Sequence, residues 1–231
     1  MILTTYDLAR MIDISCVRSQ SSYDDIQEMI SIAKEYKFIC AHTLPCNVEY
    51  ARQLLQGNTD VLIGCPVGFP AGGNEISIKV AEMEKCVETG AQEIDVVMNI
   101  GWLVSERYQA AEKELTEILK HAGSVPTKAI IEVSLLNDEM IRNASKIALN
   151  AGASFVKTGT GWTGIPTNYH HIEVIQQAVG NRIKIKASGG IKDLETLIKM
   201  YKMGVSRFGI GTKSAIGIID EMKLYTDGLE V

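Results

Sequence analysis

The stretch ASFVKTGTGW (153–162) is followed by a second of the same build, IKIKASGGI (183–191). Each is a short apolar run with a lysine near its C-terminal end and glycines just after it. The lysines, Lys157 and Lys186, are 29 residues apart. That spacing is one strand–helix repeat, so the two runs read as neighbouring strands of a parallel sheet. Working outward, six more runs of this kind appear: MIDIS (11–15), FICAH (38–42), VLIGCPV (61–67), EIDVVMN (93–99), KAIIEVS (128–134) and SRFGIGT (206–212). Together with SFVKTGT (154–160) and RIKIKAS (182–188) they make eight.

Helical periodicity fills the gaps. Tyr108, Ala111, Leu115, Ile118 and Leu119 share a face, as do Met140, Ile141, Ala144, Ile147 and Ala148, and Leu194, Leu197, Ile198 and Tyr201. Asn137 and Asp193 stand at N-cap positions, and Gly204 follows the last of these helices. Strands that alternate with helices give a parallel sheet covered by helices. Eight of them in 231 residues predict a closed (β/α)8 TIM barrel, an α/β fold, rather than an open sheet. No linker or low-complexity segment divides the chain, so residues 1–231 are expected to form a single barrel domain.

The composition is 46% hydrophobic, with no run near the ~20 apolar residues that cross a bilayer. The N-terminal residues lack a secretory pattern. Net charge is −5, with both signs interspersed and no basic face for nucleic acid. The cysteines are Cys16, Cys40, Cys46, Cys65 and Cys86, an odd number with no CxxC pair, which points to a reducing, cytoplasmic setting. The histidines (His42, His121, His170, His171) form no zinc spacing, so neither a metal nor another cofactor is expected.

In a barrel of this type, chemistry sits at the C-terminal ends of the strands. Lys157 lies there, in a run where an unpaired ammonium is costly. Taken alone, it reads equally as a structural lysine paired with a carboxylate. Lys186, one strand on at similar height, changes that: two close ammonium groups disfavour each other's charge. An adjacent cation and desolvation can bring a lysine from ~10.4 towards ~7–8. The neutral amine attacks carbonyls, and the imine it forms accepts electrons during carbon–carbon cleavage without a metal. Asp95, late in the fourth run, can hold the second lysine and relay protons; a salt bridge that merely neutralises one lysine is its other role.

Asp13 is placed to bond a substrate hydroxyl. Lys128, Glu132 and Lys184 read as charge pairs lower in the barrel, and Cys40, at the end of the second strand, first as a small buried hydrophobe and otherwise as a lining residue of the pocket. Ser188-Gly189-Gly190 and Gly209-Ile210-Gly211-Thr212 follow the seventh and eighth strands, where barrels bind phosphate with backbone N–H groups. Ser188 and Thr212 can add hydroxyls, and Thr160-Gly161 a further N–H.

EIDVVMNIG, FVKT with the following TG, KASGGI, KAIIEVSLL, Gly68-Phe69-Pro70 with Gly72, and Lys79 with Glu82 together resemble the deoxyribose-phosphate aldolase family, in order and spacing, from Asp13 to about Ile216. The resemblance implies a class I aldolase that cleaves 2-deoxy-D-ribose 5-phosphate reversibly to D-glyceraldehyde 3-phosphate and acetaldehyde. It makes Lys157 the Schiff-base lysine, Lys186 its perturbing neighbour and Asp95 the proton relay. It also places phosphate at Gly189, Gly190 and the residues after Gly209, and implies a homodimer. The chain departs from the family pattern at Gly159 and Gly211, where serines are usual, at Thr212 and Trp162, and in the segments after Asp13 and Cys40; Lys213 can compensate for the lost hydroxyl. Two other readings stay open: an imine-forming aldolase for another sugar phosphate or donor, and a phosphate-binding barrel without this chemistry. The tail LYTDGLEV (224–231) is expected to be loose or to reach the phosphate site.

Overall fold

The computed structural model of the chain describes residues 2–231. A short strand β1 (Ile2–Leu3) and helix α1 (Thr5–Ala9) lead into the barrel. Its first half is β2 (Ile12–Cys16), α2 (Tyr23–Tyr36), β3 (Cys40–Thr43), α3 (Val48–Leu54), β4 (Leu62–Val67), α4 (Ile76–Glu88), β5 (Glu93–Val97), α5 (Ile100–Val104) and α6 (Tyr108–Lys120). The second half is β6 (Thr127–Ile130), α7 (Asp138–Asn150), β7 (Phe155–Lys157), α8 (Tyr169–Val179), β8 (Lys184–Ser188), α9 (Leu194–Lys202), β9 (Val205–Gly211) and α10 (Thr212–Met222), before a last short strand β10 (Leu229–Glu230). Strands β2 to β9 form a closed parallel barrel in sequence order, and β9 returns to β2 with Asp13 opposite Gly209. The expected (β/α)8 barrel is the fold.

The eight apolar runs became the eight barrel strands because both of their faces are covered. Strands β3, β5 and β6 are buried at every position, and α7 lays Ile141, Ala144, Ile147 and Ala148 against the sheet. Each fully buried isoleucine contributes roughly 1.5–3 kcal/mol. The expected caps are present: Asn137 accepts from the Met140 N–H at 2.9 Å and Asp193 from the Thr196 N–H at 2.7 Å. Gly204, at φ +98°, takes the left-handed conformation that ends α9.

Two departures matter for the site. Strand β7 stops at Lys157, because the following residues fold over the barrel top: the Thr158 hydroxyl donates to the Ser188 carbonyl and the Thr160 N–H to Glu132. The tail is neither loose nor near the glycine loops. Leu229 and Glu230 pair antiparallel with Leu3 and Ile2 at the opposite end of the barrel, where the chain enters β2. No helix among the described residues is long and apolar enough to cross a membrane.

Candidate active site

A cavity of about 780 Å³ opens at the C-terminal ends of the strands. Asp13, His42, Asp95, Lys157 and Lys186 line its floor, and the loops after β2, β7, β8 and β9 form its walls. Strand register brings the polar residues together. Lys157 lies directly opposite Lys186, Asp95 opposite Lys128, and Lys186 opposite Arg207. The similar height expected of the two lysines is therefore observed.

Three carboxylates and four cations meet inside the barrel. Lys128 reaches Glu93 at 2.5 Å and Asp95 at 3.2 Å. Lys186 bridges Asp13 at 2.6 Å and Asp95 at 2.9 Å. Arg207 bridges Asp13 at 2.6 Å and Glu93 at 3.1 Å. Lys157 touches one carboxylate only, Asp95, at 2.7 Å, and through the same Oδ2 atom that Lys186 uses. The cluster balances when one cation gives up its proton, and Lys157 is the least supported of the four.

The titration behaviour follows this geometry. Burial lowers the pKa of Lys157; Asp95 opposes that, Lys186 adds to it, and the result is about 8. Burial also disfavours charged Lys128, but Asp95, Asp13 and Glu93 overcome it and raise its pKa. Asp95 would be pushed up by burial, yet Lys128, Lys157 and Lys186 hold it well below the usual carboxylate range. The arrangement thus offers a neutral amine at near-neutral pH beside a cation and a permanently ionised carboxylate. That combination supports nucleophilic attack on a carbonyl, with proton transfer to and from the products.

Desolvation leads the shift at Lys157, with Lys186 contributing less. Replacing Lys186 with leucine nevertheless leaves three carboxylates for three cations, so Lys157 becomes an obligatory counter-ion. In a Lys186→Leu variant the pH–rate profile is expected to move above pH 8, with activity at pH 7 reduced on the order of 100-fold. An unmoved profile would remove Lys186 from this role.

His42 was considered in the sequence only as a potential zinc ligand, yet it sits at the centre of the site. Its Nε2 lies 3.2 Å from Asp13, 3.4 Å from Lys186 and 3.9 Å from Asp95. Burial, aided by Lys186, lowers its pKa, so the ring is neutral and Nε2–H can donate to Asp13. Gly64 makes room for it: a Cβ there would lie 2.3 Å from His42 Cε1. The signal was available, since His42 ends the run FICAH as Lys157 ends its own strand. Arg207 and Glu93 were also overlooked, although each is a charged residue inside an apolar run. Asp13, Cys40, His42 and Glu93 place potential metal-ligating atoms within 4.8 Å of one another. Lys128, Lys186 and Arg207 already neutralise the carboxylates of that set, which makes it a poor seat for a dication.

The other sequence expectations divide. Lys128 is buried and paired as expected. Lys184 is exposed over the Phe155 ring rather than paired inside, because it stands at the N-terminal mouth of β8, where the barrel opens to solvent. Glu132 pairs with no lysine among the described residues; it turns back at φ +52° and accepts from the Thr160 N–H and hydroxyl. Cys40 is the small buried residue expected, fully buried, and does not line the cavity. Thr160, Gly161, Ser188, Gly189, Gly190, Gly209, Gly211, Thr212 and Lys213 all line one side of the cavity. The Ser188 hydroxyl, however, donates inward to the Gly159 carbonyl at 2.8 Å. What remains for an anion on that side is backbone N–H, including the first turn of α10, which has no side-chain cap, together with the Thr212 hydroxyl and the Lys213 ammonium.

The sequence pattern of DeoC/LacD family aldolases matches residues 17–218. The chain belongs to this family. The DeoC/LacD aldolase described here is 42% identical to the deoxyribose-phosphate aldolase of Rhizobium meliloti (strain 1021), over 98% of this chain and 91% of that protein. It is 36% identical to the deoxyribose-phosphate aldolase of Klebsiella pneumoniae subsp. pneumoniae, over 97% and 91%. Its fold superposes on the tetrameric deoxyribose phosphate aldolase of Aeropyrum pernix with a TM-score of 0.86, at 26% identity, over 95% of this chain and 92% of that one. As a member of the DeoC/LacD aldolases it is a carbon–carbon lyase.

Proposed function

We propose that this aldolase reversibly cleaves 2-deoxy-D-ribose 5-phosphate to D-glyceraldehyde 3-phosphate and acetaldehyde, through an imine on Lys157. The observation that carries the reading is the pairing of Lys157, at a pKa of about 8, with Lys186 on one oxygen of Asp95. The neutral Lys157 amine adds to C1 of the open-chain sugar, and the carbinolamine loses water to give a protonated imine. The C3 hydroxyl then loses its proton, the C2–C3 bond breaks, and its electrons pass into the imine as an enamine. Glyceraldehyde 3-phosphate leaves, the enamine is protonated at C2, and water releases acetaldehyde. Asp95 and Lys186 stand where protons can pass between Lys157 and the substrate oxygens, with His42 keeping Asp13 and Lys186 in register. Asp13 is assigned to a substrate hydroxyl. The phosphate is assigned to Gly161, Gly189, Gly190 and the Gly209–Thr212 turn with the N-terminus of α10.

The activity is assigned to residues 1–231 as one domain, acting in the cytoplasm as a homo-oligomer; the family resemblance implies a dimer, and the Aeropyrum pernix relative is described as a tetramer. The departures at Gly159, Trp162 and Gly211 favour one second reading, the same imine chemistry on a related sugar phosphate. The test is borohydride reduction in the presence of acetaldehyde, followed by peptide mapping, together with turnover of 2-deoxyribose 5-phosphate. An ethyl adduct on Lys157 and turnover that is unaffected by EDTA are expected. An adduct without turnover would select the related substrate, and no adduct with any carbonyl would end the imine mechanism.

A further inference from the structure

The loop after β2, beside the glycine loops, carries a cation that neither the motifs nor the family pattern singled out. Arg18, in the loop after β2, is the arginine that lines the cavity. Its guanidinium lies over the indole of Trp162, 5.3 Å from the ring centroid. Its Nη2 donates to the Gly161 carbonyl at 3.0 Å. Phe69 meets the same indole edge-on, at 5.7 Å, and so fixes the surface on which Arg18 rests. Gly161 in turn abuts the glycine pair after β8: its Cα is 3.9 Å from the point a Cβ on Gly189 would occupy. Arg18 is therefore bonded to one of the backbone segments assigned to the phosphate, beside the glycine pair that forms the next.

Arg18 makes no ion pair with a carboxylate among the described residues. Asp25, on the same cavity wall, is turned to the Ser22 N–H and hydroxyl, at 2.7 and 2.8 Å. The deeper cavity cations, Lys157 and Lys186, are bound to Asp95. Two of the hydroxyls on the glycine side are turned away, since Ser188 donates to Gly159 and Thr160 donates to Glu132, and position 211 is glycine, which leaves Thr212 as the hydroxyl of that side. A guanidinium has five donors in a planar fork suited to phosphate, and one contact to Gly161 leaves most of them free. Stacking on an indole keeps the plane of the fork fixed.

We propose that Arg18, seated on Trp162, is the side chain that binds the phosphoryl group of the substrate in this chain. The inference rests on the assignment of a phosphorylated sugar as substrate. It makes Trp162 a specificity residue that acts through Arg18, and gives the lost hydroxyls a replacement from the neighbouring loop after β2. Lys213, exposed on the first turn of α10, is the competing cation.

The experiment compares wild type, Arg18→Ala, Arg18→Lys and Lys213→Ala on 2-deoxyribose 5-phosphate and on unphosphorylated 2-deoxyribose, with calorimetric titration of inorganic phosphate into each protein. Arg18→Ala is expected to raise KM for the phosphate ester roughly 10- to 100-fold and to weaken phosphate binding in parallel. Its kcat, and its kcat/KM on 2-deoxyribose, should stay near wild type, and Arg18→Lys should recover part of the loss. The inference is overturned if KM for the ester is unchanged, if both substrates suffer equally, or if Lys213→Ala reproduces the loss and Arg18→Ala does not. Wild-type protein that turns over no ester, yet binds phosphate through Arg18, would reject the proposed substrate and leave this site standing. Absence of both turnover and phosphate binding would reject both.

Discussion

Lys157→Arg is expected to reduce turnover by on the order of 10⁴-fold or more and to eliminate borohydride trapping, while the protein stays folded. The guanidinium keeps the positive charge that Asp95 faces at 2.7 Å, so the cluster remains paired. It cannot become a neutral nucleophile at any working pH. The wild-type profile gives the complementary sign. Only the unprotonated Lys157 attacks a carbonyl, and its pKa is about 8. The rate of imine formation should therefore climb about tenfold per pH unit below 8 and level off above it. Circular dichroism and kcat/KM against pH check both statements. Residual trapping in the arginine variant on another lysine would reassign the nucleophile, with Lys186 the first candidate.

Asp95→Asn is expected to remove activity and stability together. Asp95 is buried and meets Lys128, Lys157 and Lys186 at 3.2, 2.7 and 2.9 Å. A neutral amide removes the carboxylate of Lys157 and leaves Lys128, Lys186 and Arg207 to share Asp13 and Glu93, at a cost of about 3–5 kcal/mol. It also ends proton passage between the two lysines. Denaturant unfolding at neutral pH measures the first effect and single-turnover kinetics the second. The pH dependence has a definite sign. Asp95 and Asp13 are held well below 3.8, so their stabilisation is complete above the ordinary carboxylate range and is lost only as pH falls through their lowered values. The Asp95→Asn variant should show a smaller loss of stability on acidification than wild type. Equal stability at pH 7 would mean that the cations find other partners.

The fold was legible because its signal is local. A strand covered on both faces must be apolar, and helices over a sheet must repeat every 3.6 residues, so KAIIEVS and the Leu194–Tyr201 stripe declare themselves. Lys157, Lys186 and Asp95 were legible for a related reason: each is a charged residue that interrupts an apolar run. His42 and Arg207 obey the same rule, but their meaning depends on partners far away in sequence. Arg207 meets Asp13 only where β9 closes on β2, and His42 fits only because Gly64 on the next strand has no side chain. Arg18 lies in a loop, where periodicity carries no information. The tail was misread because its placement depends on two short edge strands, β1 and β10, whose pairing leaves little trace in composition.

The ion cluster lies buried at the floor of the cavity, while Arg18 and Lys213 stand exposed at its open mouth. Dissolved ions will tell these two regions apart. The Debye length shrinks from about 30 Å at 0.01 M salt to about 8 Å at 0.15 M, which screens exposed charges and barely touches buried ones. Raising the ionic strength should therefore loosen capture of a dianionic substrate and leave the rate of the bound complex almost constant. The molecule separates a salt-tuned step of recognition from a salt-blind step of chemistry by nothing more than depth.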